Sequence, residues 1–331
     1  MSLFHITRKS EIPLVGCLYF GVIDRGSNLL QIRPSCSCNL SCPFCSVDAG
    51  PSSKTRVTNY EVELDYLMEA VEEIAHFKGP GVECHIDSPG EPMLYPEIAG
   101  LVRQLKAVPE VAVVSMQSNG TLLDEVRIKE LEAAGLDRIN LSIHALSAET
   151  ARFLAGADWF DIEKVKATAE QIARSNIDLL IAPVSIPGVN DDEMPKLIEF
   201  AKQIGAGKRW PPLGIQKFEH YRLGRSPGKV KAQNWWHYYN RTMQEWEKQS
   251  SIPLRLKPQD FGIVKRPMVP TVFEKKEKTR VEIKAPGWVR GEQLGVARNR
   301  VVSVMDCPAT SGSVRVQIVS NKHNIYVGVP C

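Results

Sequence analysis

The sequence predicts an α/β fold, a partial (β/α)6 barrel of the TIM type followed by a small all-β domain. Three observations carry that prediction. Apolar runs alternate with amphipathic stretches six times between Ser27 and Tyr221, the pattern of a parallel sheet with right-handed helical crossovers. From about Lys278 the apolar period becomes two, with Gly and Pro between the runs, as in a small antiparallel barrel or sheet. The unusual residues fall after the predicted strands, on the loops where barrels of this kind keep their chemistry.

The elements follow in order. "NLLQIRPSC" reads as a strand that runs into a cysteine-rich loop, and "VELDYLMEAVEEIAHF" as a helix with apolar residues on one face and carboxylates on the other. The strand "GVECHID", a helix near "EIAGLVRQLKAV", the strand "VAVVSMQSNG", the helix "DEVRIKELEAAG" and the strand "DRINLSIHA" come next. "IEKVKATAEQIARSN", "IDLLIAPVSIPG", "EMPKLIEFAKQIGAG" and "LGIQKFEHY" complete the alternation, with Gly135 and Gly205 where helix C-caps belong. "QNWWHYYNRTMQEWEKQ" reads as a helix whose aromatic cluster, Trp235 to Tyr239 with Trp246, packs into a core or between domains rather than forming a base-stacking platform. In the tail "TRVEIKAPGW", "RNRVVSVMD", "SVRVQIVS" and "NIYVGVP" read as strands. Four segments are therefore expected: 1–26 as an N-terminal segment, 27–250 as the core barrel with the aromatic helix at its end, 251–277 as a linker marked by Pro253, Pro258, Pro267 and Pro270, and 278–331 as the small β domain.

The composition, 43% hydrophobic with a net charge of +3, is that of an ordinary globular protein. No run of eighteen apolar residues occurs, so no transmembrane helix is expected. The N-terminus is broken by charges and Pro13 and lacks the apolar core of a signal peptide, which makes cytoplasm the expectation. Charge is unevenly spread. Residues 255–331 hold fourteen Lys and Arg against six Asp and Glu, which leaves 27 of the 41 basic and 32 of the 38 acidic residues to the rest of the chain. A basic tail on an acidic body points to a polyanionic partner or to a solvated basic surface.

Four of the eight cysteines, Cys36, Cys38, Cys42 and Cys45, lie in "SCSCNLSCPFC". A disulfide knot conflicts with reduced thiols in the cytoplasm. Zinc wants four ligands, with Cys36 as the fourth, although zinc pairs usually sit on two separate knuckles. Cys38, Cys42 and Cys45, spaced C-x3-C-x2-C, can bind three irons of a four-iron cluster and leave the fourth iron open; Cys36 is then a small buried residue.

With these residues and that strand context the chain resembles the radical SAM superfamily, over roughly Ser27 to Tyr221. The resemblance implies a [4Fe-4S] cluster on Cys38, Cys42 and Cys45, with Phe44 at the aromatic position between the last two. It also implies S-adenosylmethionine on the open iron, cleaved on electron transfer to a 5′-deoxyadenosyl radical. Gly90, Glu91 and Pro92 match the family's segment at the methionine amino group, although Ser88-Pro89 depart from its usual glycine. Asn119 falls in its third-strand loop, Ser142 at a ribose- and carboxylate-contacting position with His144 beside it, and Ile186, Gly188 and Asn190 in the segment under the adenine. A narrower resemblance, through "IDRGSNLLQIRP" and "CPFCSVDAGP", is to an uncharacterised, mainly archaeal branch whose C-terminal β domain is similar to the RNA-binding TRAM barrel.

Cys17, Cys84, Cys307 and Cys331 are scattered, so neither a second cluster nor a cysteine-rich extension is expected. What remains is a one-cluster enzyme reduced by a flavodoxin- or ferredoxin-type donor, acting on RNA, tRNA first, through the basic tail. Modification of a small metabolite or a protein side chain is the alternative within the same chemistry, and a non-catalytic iron–sulfur scaffold the alternative of another class. The segment "KFEHYRLGRSPGK" would lie over the barrel mouth, where His144, Tyr221, Arg222 and Arg225 are the substrate-facing residues; the guanidinium groups suit an anion.

Overall fold

A computed structural model describes residues 1–331. The strands are β1 (Ser2–Ile6), β2 (Gly21–Asp24), β3 (Leu29–Arg33), β4 (Thr58–Val62), β5 (Val82–Ile86), β6 (Val111–Ser118), β7 (Arg138–Leu141), β8 (Asp178–Ile181), β9 (Val184–Ser185) and β10 (Gln216–Lys217), then β11 (Lys278–Pro286), β12 (Gln293–Ala297), β13 (Arg300–Val304), β14 (Gly312–Ser320) and β15 (Val327–Pro330). The main helices are α1 (Leu64–Lys78), α2 (Ile98–Ala107), α3 (Glu125–Ala134), α4 (Ala148–Ala155), α5 (Ile162–Arg174) and α6 (Glu193–Gln203).

Six strands form one sheet in the order β2-β3-β5-β6-β7-β8. β2 runs antiparallel to β3, whereas the pairs β3–β5, β6–β7 and β7–β8 are parallel. β9 and β10 add a short parallel pair. The partial barrel is therefore present, with its last strand only two residues long. The helices form where the apolar period demands them: α1 buries Leu64, Leu67, Met68, Val71, Ile74 and Ala75 on one face. Each large apolar side chain so buried contributes about 1.5–3 kcal/mol relative to an exposed one. α3 starts at Asp124, whose carboxylate accepts from the Arg127 N–H, and stops at Gly135 in the left-handed region.

Contacts divide the chain into two compact bodies that do not follow chain order. The first comprises Met1–Ser37, Lys54–Val114 and Val264–Cys331. It contains β1 paired with β4, an element the sequence reading left out of the N-terminal segment. Its C-terminal part is a closed barrel, β11-β12-β13-β15-β14, antiparallel except for β13–β15. Val281, Ile283, Val302, Val304, Val316, Ile318 and Tyr326 fill it. β12 escaped the period-two pattern because Gly295 interrupts it; a Cβ there would lie 2.6 Å from a Val281 methyl. Residues 264–270, expected as part of a linker, are tied down. Val269 N–H donates to Asp24, and buried Lys78 reaches both the Asp24 carboxylate and the Pro267 carbonyl at 2.6 Å.

The second body comprises Cys38–Ser53 and Ser115–Ile263. Its aromatic helix corrects one expectation. Tyr238, Met243 and Trp246 are buried, but Trp235, Trp236 and Tyr239 are 56%, 62% and 37% exposed. At about 100° per residue, positions 235, 236, 238 and 239 span an arc of about 160°, wider than the stripe of about 100° that a surface helix buries.

Candidate functional site

The cysteine loop follows β3. Cys38, Cys42 and Cys45 form no disulfide and are each partly exposed, while Cys36 is buried with its Sγ accepting from the Tyr60 N–H at 3.1 Å. No group of three His, Cys, Asp or Glu side chains converges to hold one metal ion. A four-iron cluster asks for something different, since each thiolate binds its own iron and the sulfurs stand apart. Burial, and then the neighbouring Cys38 and Cys45, push the Cys42 thiol pKa up, while Arg225 draws it down. A Cys42 thiol held back from ionising asks for cationic charge before it can act as a ligand, and the irons of a cluster supply it.

The loop backbone is fixed from several sides within the second body. The Arg225 N–H donates to the Cys45 carbonyl at 2.8 Å and its Nε to the Cys42 carbonyl at 2.8 Å. Its two Nη atoms reach the Asp48 carboxylate at 3.0 Å and the Ala49 carbonyl at 2.7 Å. Arg225, expected to face substrate, is thus committed to the loop, and Asp48, 2% exposed, is its carboxylate partner. Gly156, in the left-handed region at φ 61°, ends α4 against the loop; a Cβ there would overlap the Ser41 carbonyl. Asn39, Asn119 and Thr121 close a polar triangle, with Asn119 Nδ2 to Asn39 Oδ1 at 2.9 Å and Asn39 Nδ2 to Thr121 Oγ1 at 2.8 Å.

Phe44 lies edge-on to His144, ring centroids 4.8 Å apart. His144 Nδ1 accepts from the Val184 N–H at 3.1 Å, and burial lowers its pKa to about 4. It is therefore a neutral ring with its proton on Nε2. Asn190, fully buried, donates to the His144 and Val184 carbonyls and accepts from the Ile186 N–H at 2.8 Å. It shapes the Ile186–Asn190 turn, where Gly188 stands in open space. Ser142 Oγ accepts from Gln117 Nε2 at 2.8 Å. Tyr221 and Arg222 are exposed.

Gly90, Glu91 and Pro92 lie in the first body. The Glu91 N–H donates to the Ser37 carbonyl at 2.8 Å, and a Cβ on Gly90 would lie 2.8 Å from the Cys36 carbonyl. The Glu91 carboxylate, 1% exposed, accepts from the Met93 N–H at 3.0 Å. Sequence reasoning missed Arg56. Its Nη1 donates to the Cys36 carbonyl and its Nη2 to the Pro89 carbonyl, both at 2.7 Å, while its guanidinium lies 3.8 Å over buried Trp288 of the C-terminal barrel. No motif announces this, because the partners are distant in sequence.

A partial (β/α) barrel whose first parallel strand leads into a three-thiol loop defines a class of iron–sulfur enzymes that act on S-adenosylmethionine. A family model for the Radical SAM superfamily matches residues 32–201, half of the chain. The chain belongs to that superfamily and is an enzyme of it, with a [4Fe-4S] cluster and S-adenosylmethionine as cofactors. An uncharacterised protein of Methanocaldococcus jannaschii is 41% identical over 341 residues, covering 96% of this chain and 79% of that one. GTP 3′,8-cyclase of Chlorobaculum tepidum is 29% identical over 221 residues, 67% of this chain and 62% of the cyclase. Among solved structures, SuiB of Streptococcus suis bound to S-adenosylmethionine shares the fold, with a TM-score of 0.54 at 16% identity. That match covers 75% of this chain and 51% of SuiB. No helix is long and apolar enough to cross a membrane.

Proposed function

We propose that this enzyme modifies RNA, tRNA first, with Cys38, Cys42 and Cys45 holding the cluster. When bound and reduced by a flavodoxin- or ferredoxin-type donor, the cluster and S-adenosylmethionine supply a 5′-deoxyadenosyl radical that abstracts hydrogen from the substrate. The chain's own residues orient and enclose. Arg225 and Gly156 fix the thiol loop, Glu91 and the Gly90–Pro92 backbone receive the methionine end, and Asn119, Ser142 and the Ile186–Asn190 turn line the nucleoside end. Glu91 is not a solvated loop carboxylate, since it is almost fully buried.

The observation that carries the RNA reading is a basic row on the outward face of the C-terminal barrel. Lys278 and Arg280 lie on the outward face of β11, followed there by Glu282, while Val281 and Ile283 point inward, and Arg315 of β14 stands directly opposite Arg280. Like charges directly opposite on a sheet are destabilising, so a row of them suits a polyanion. Five-stranded Greek-key barrels recur as oligonucleotide binders, which supports the TRAM likeness. Not every basic residue takes part: Lys284 pairs with Glu11 and Arg298 with Glu277. A second reading, a free purine nucleotide as substrate, draws on the 29% identity to GTP 3′,8-cyclase.

The test has two stages. Anaerobic, reduced protein should convert S-adenosylmethionine to 5′-deoxyadenosine and methionine. Mass spectrometry should then find a tRNA nucleoside altered in cells lacking the gene and restored by the purified enzyme. Unchanged RNA, with turnover of a purine nucleotide instead, would move the second reading to first place.

A further inference from the structure

We propose that Trp235, Trp236 and Tyr239 form a stacking platform for the unpaired bases of a single-stranded RNA segment. This deepens the RNA reading above and rests on it. Single exposed apolar residues need no explanation. Here three large aromatics within five positions of one helical stretch are 56%, 62% and 37% exposed.

Their arrangement is built rather than loose. Trp235 and Tyr239 are stacked, centroids 5.7 Å apart and planes 26° from parallel. Tyr238 stands edge-on to both and anchors them, buried, with its hydroxyl donating to the Ile215 carbonyl at 2.8 Å. Rings held in place lose little freedom when a base stacks on them. Each tryptophan also carries a cation: Lys217 Nζ lies 5.0 Å from the Trp235 ring and the Arg241 guanidinium 5.7 Å from Trp236. Lys217 is itself held by Glu219 and by the Gln233 carbonyl, both at 2.7 Å.

Charge selects the occupant. Of the six Lys and Arg from Lys217 to Arg241, Lys217 is paired with Glu219 and Arg225 with Asp48. Arg222, Lys229, Lys231 and Arg241 are exposed. A second copy of this chain would bring the same positive charge, whereas a nucleic acid brings phosphates for the cations and π faces for the rings. A duplex hides those faces, so the fit is to a single strand. Position agrees: Lys217 ends β10, whose parallel neighbour β9 runs directly into the Ile186–Asn190 turn. A strand stacked here sits beside the segment proposed to lie under the nucleoside.

The experiment measures fluorescence anisotropy of a labelled single-stranded RNA of about a dozen nucleotides, and of a duplex of the same length, on the full chain. Trp235→Ala and Trp236→Ala should each weaken single-strand binding about fivefold or more and leave duplex binding unchanged. Trp235→Phe should retain most of it, and circular dichroism should show all variants folded. Wild-type binding of the strand that both alanine variants reproduce would overturn the platform while the RNA reading stands. Wild-type protein that binds neither RNA at low salt would overturn both. A wild-type dimer dissociated by Trp236→Ala, with RNA affinity unchanged, would make this face a self-interface and overturn the platform as well.

Discussion

The cysteine loop and the outward face of the C-terminal barrel both gather arginines, and they use them in opposite ways. In the loop, Arg225 is turned inward, its donors taken by three carbonyls and the buried Asp48 carboxylate. On the barrel, Arg280 and Arg315 face each other with their side chains in solvent. An arginine saturated by backbone acts as a fastening and fixes geometry; an arginine left to water acts as a charge and awaits a partner. The same residue type in a basic stretch therefore carries two meanings, and only partners tell them apart.

The contrast predicts all-or-none losses in the loop and graded, salt-dependent ones on the barrel. The largest effect should come from Cys38, Cys42 or Cys45→Ala, each abolishing the four-iron signal in anaerobic iron analysis, whereas Cys36→Ala spares it. Retention of iron by a Cys42→Ala variant would break the ligand assignment. Next, Arg225→Ala should destabilise the folded protein by about 3–5 kcal/mol in chemical denaturation, because it takes the cationic partner from the buried Asp48 carboxylate. Adding Asp48→Asn should recover part of that loss, a coupling that no exposed arginine would show. Glu91→Ala should weaken S-adenosylmethionine binding about tenfold in equilibrium titration, the loss of one hydrogen bond to a charged group, with iron content unchanged. On the barrel, Lys278→Ala, Arg280→Ala and Arg315→Ala together should lower RNA affinity and reduce the salt slope by up to about three. An unchanged slope would mean the row serves solubility.

The smallest effect concerns pH. Burial lowers the His144 pKa from 6.5 to about 4, so the unfolded chain takes up a proton over that interval before the folded one does. Its contribution to stability is complete above about pH 6.5 and lost as pH falls towards 4, at under about 1.4 kcal/mol per pH unit. His144→Gln should flatten stability against pH in that window, measured by denaturation at several pH values.

What could be read from the sequence was what local chemistry dictates. C-x3-C-x2-C is legible because the ligands must be close in the chain, and the six core strands because each buries a short apolar run between amphipathic helices. The role of Arg225 was not legible, since its partners Cys42 and Asp48 lie 183 and 177 residues away. Nor was the pairing of β1 with β4, which no periodicity encodes. The aromatic helix misled for a physical reason: tryptophan is apolar enough to suggest a core and polar enough to work at a surface.

Arg56 carries a consequence for how the protein is made. Its guanidinium supports the carbonyls of Cys36 and Pro89, yet the ring beneath it, Trp288, lies 232 residues further along the chain. Tyr60 likewise waits for the Pro286 carbonyl, 226 residues downstream. Contacts of such range close slowly and late. The carbonyls of Cys36 and Pro89 would thus wait on the C-terminal barrel before the support beneath Arg56 is complete. A protein lacking its C-terminal barrel would lose the support beneath Arg56 along with the basic row.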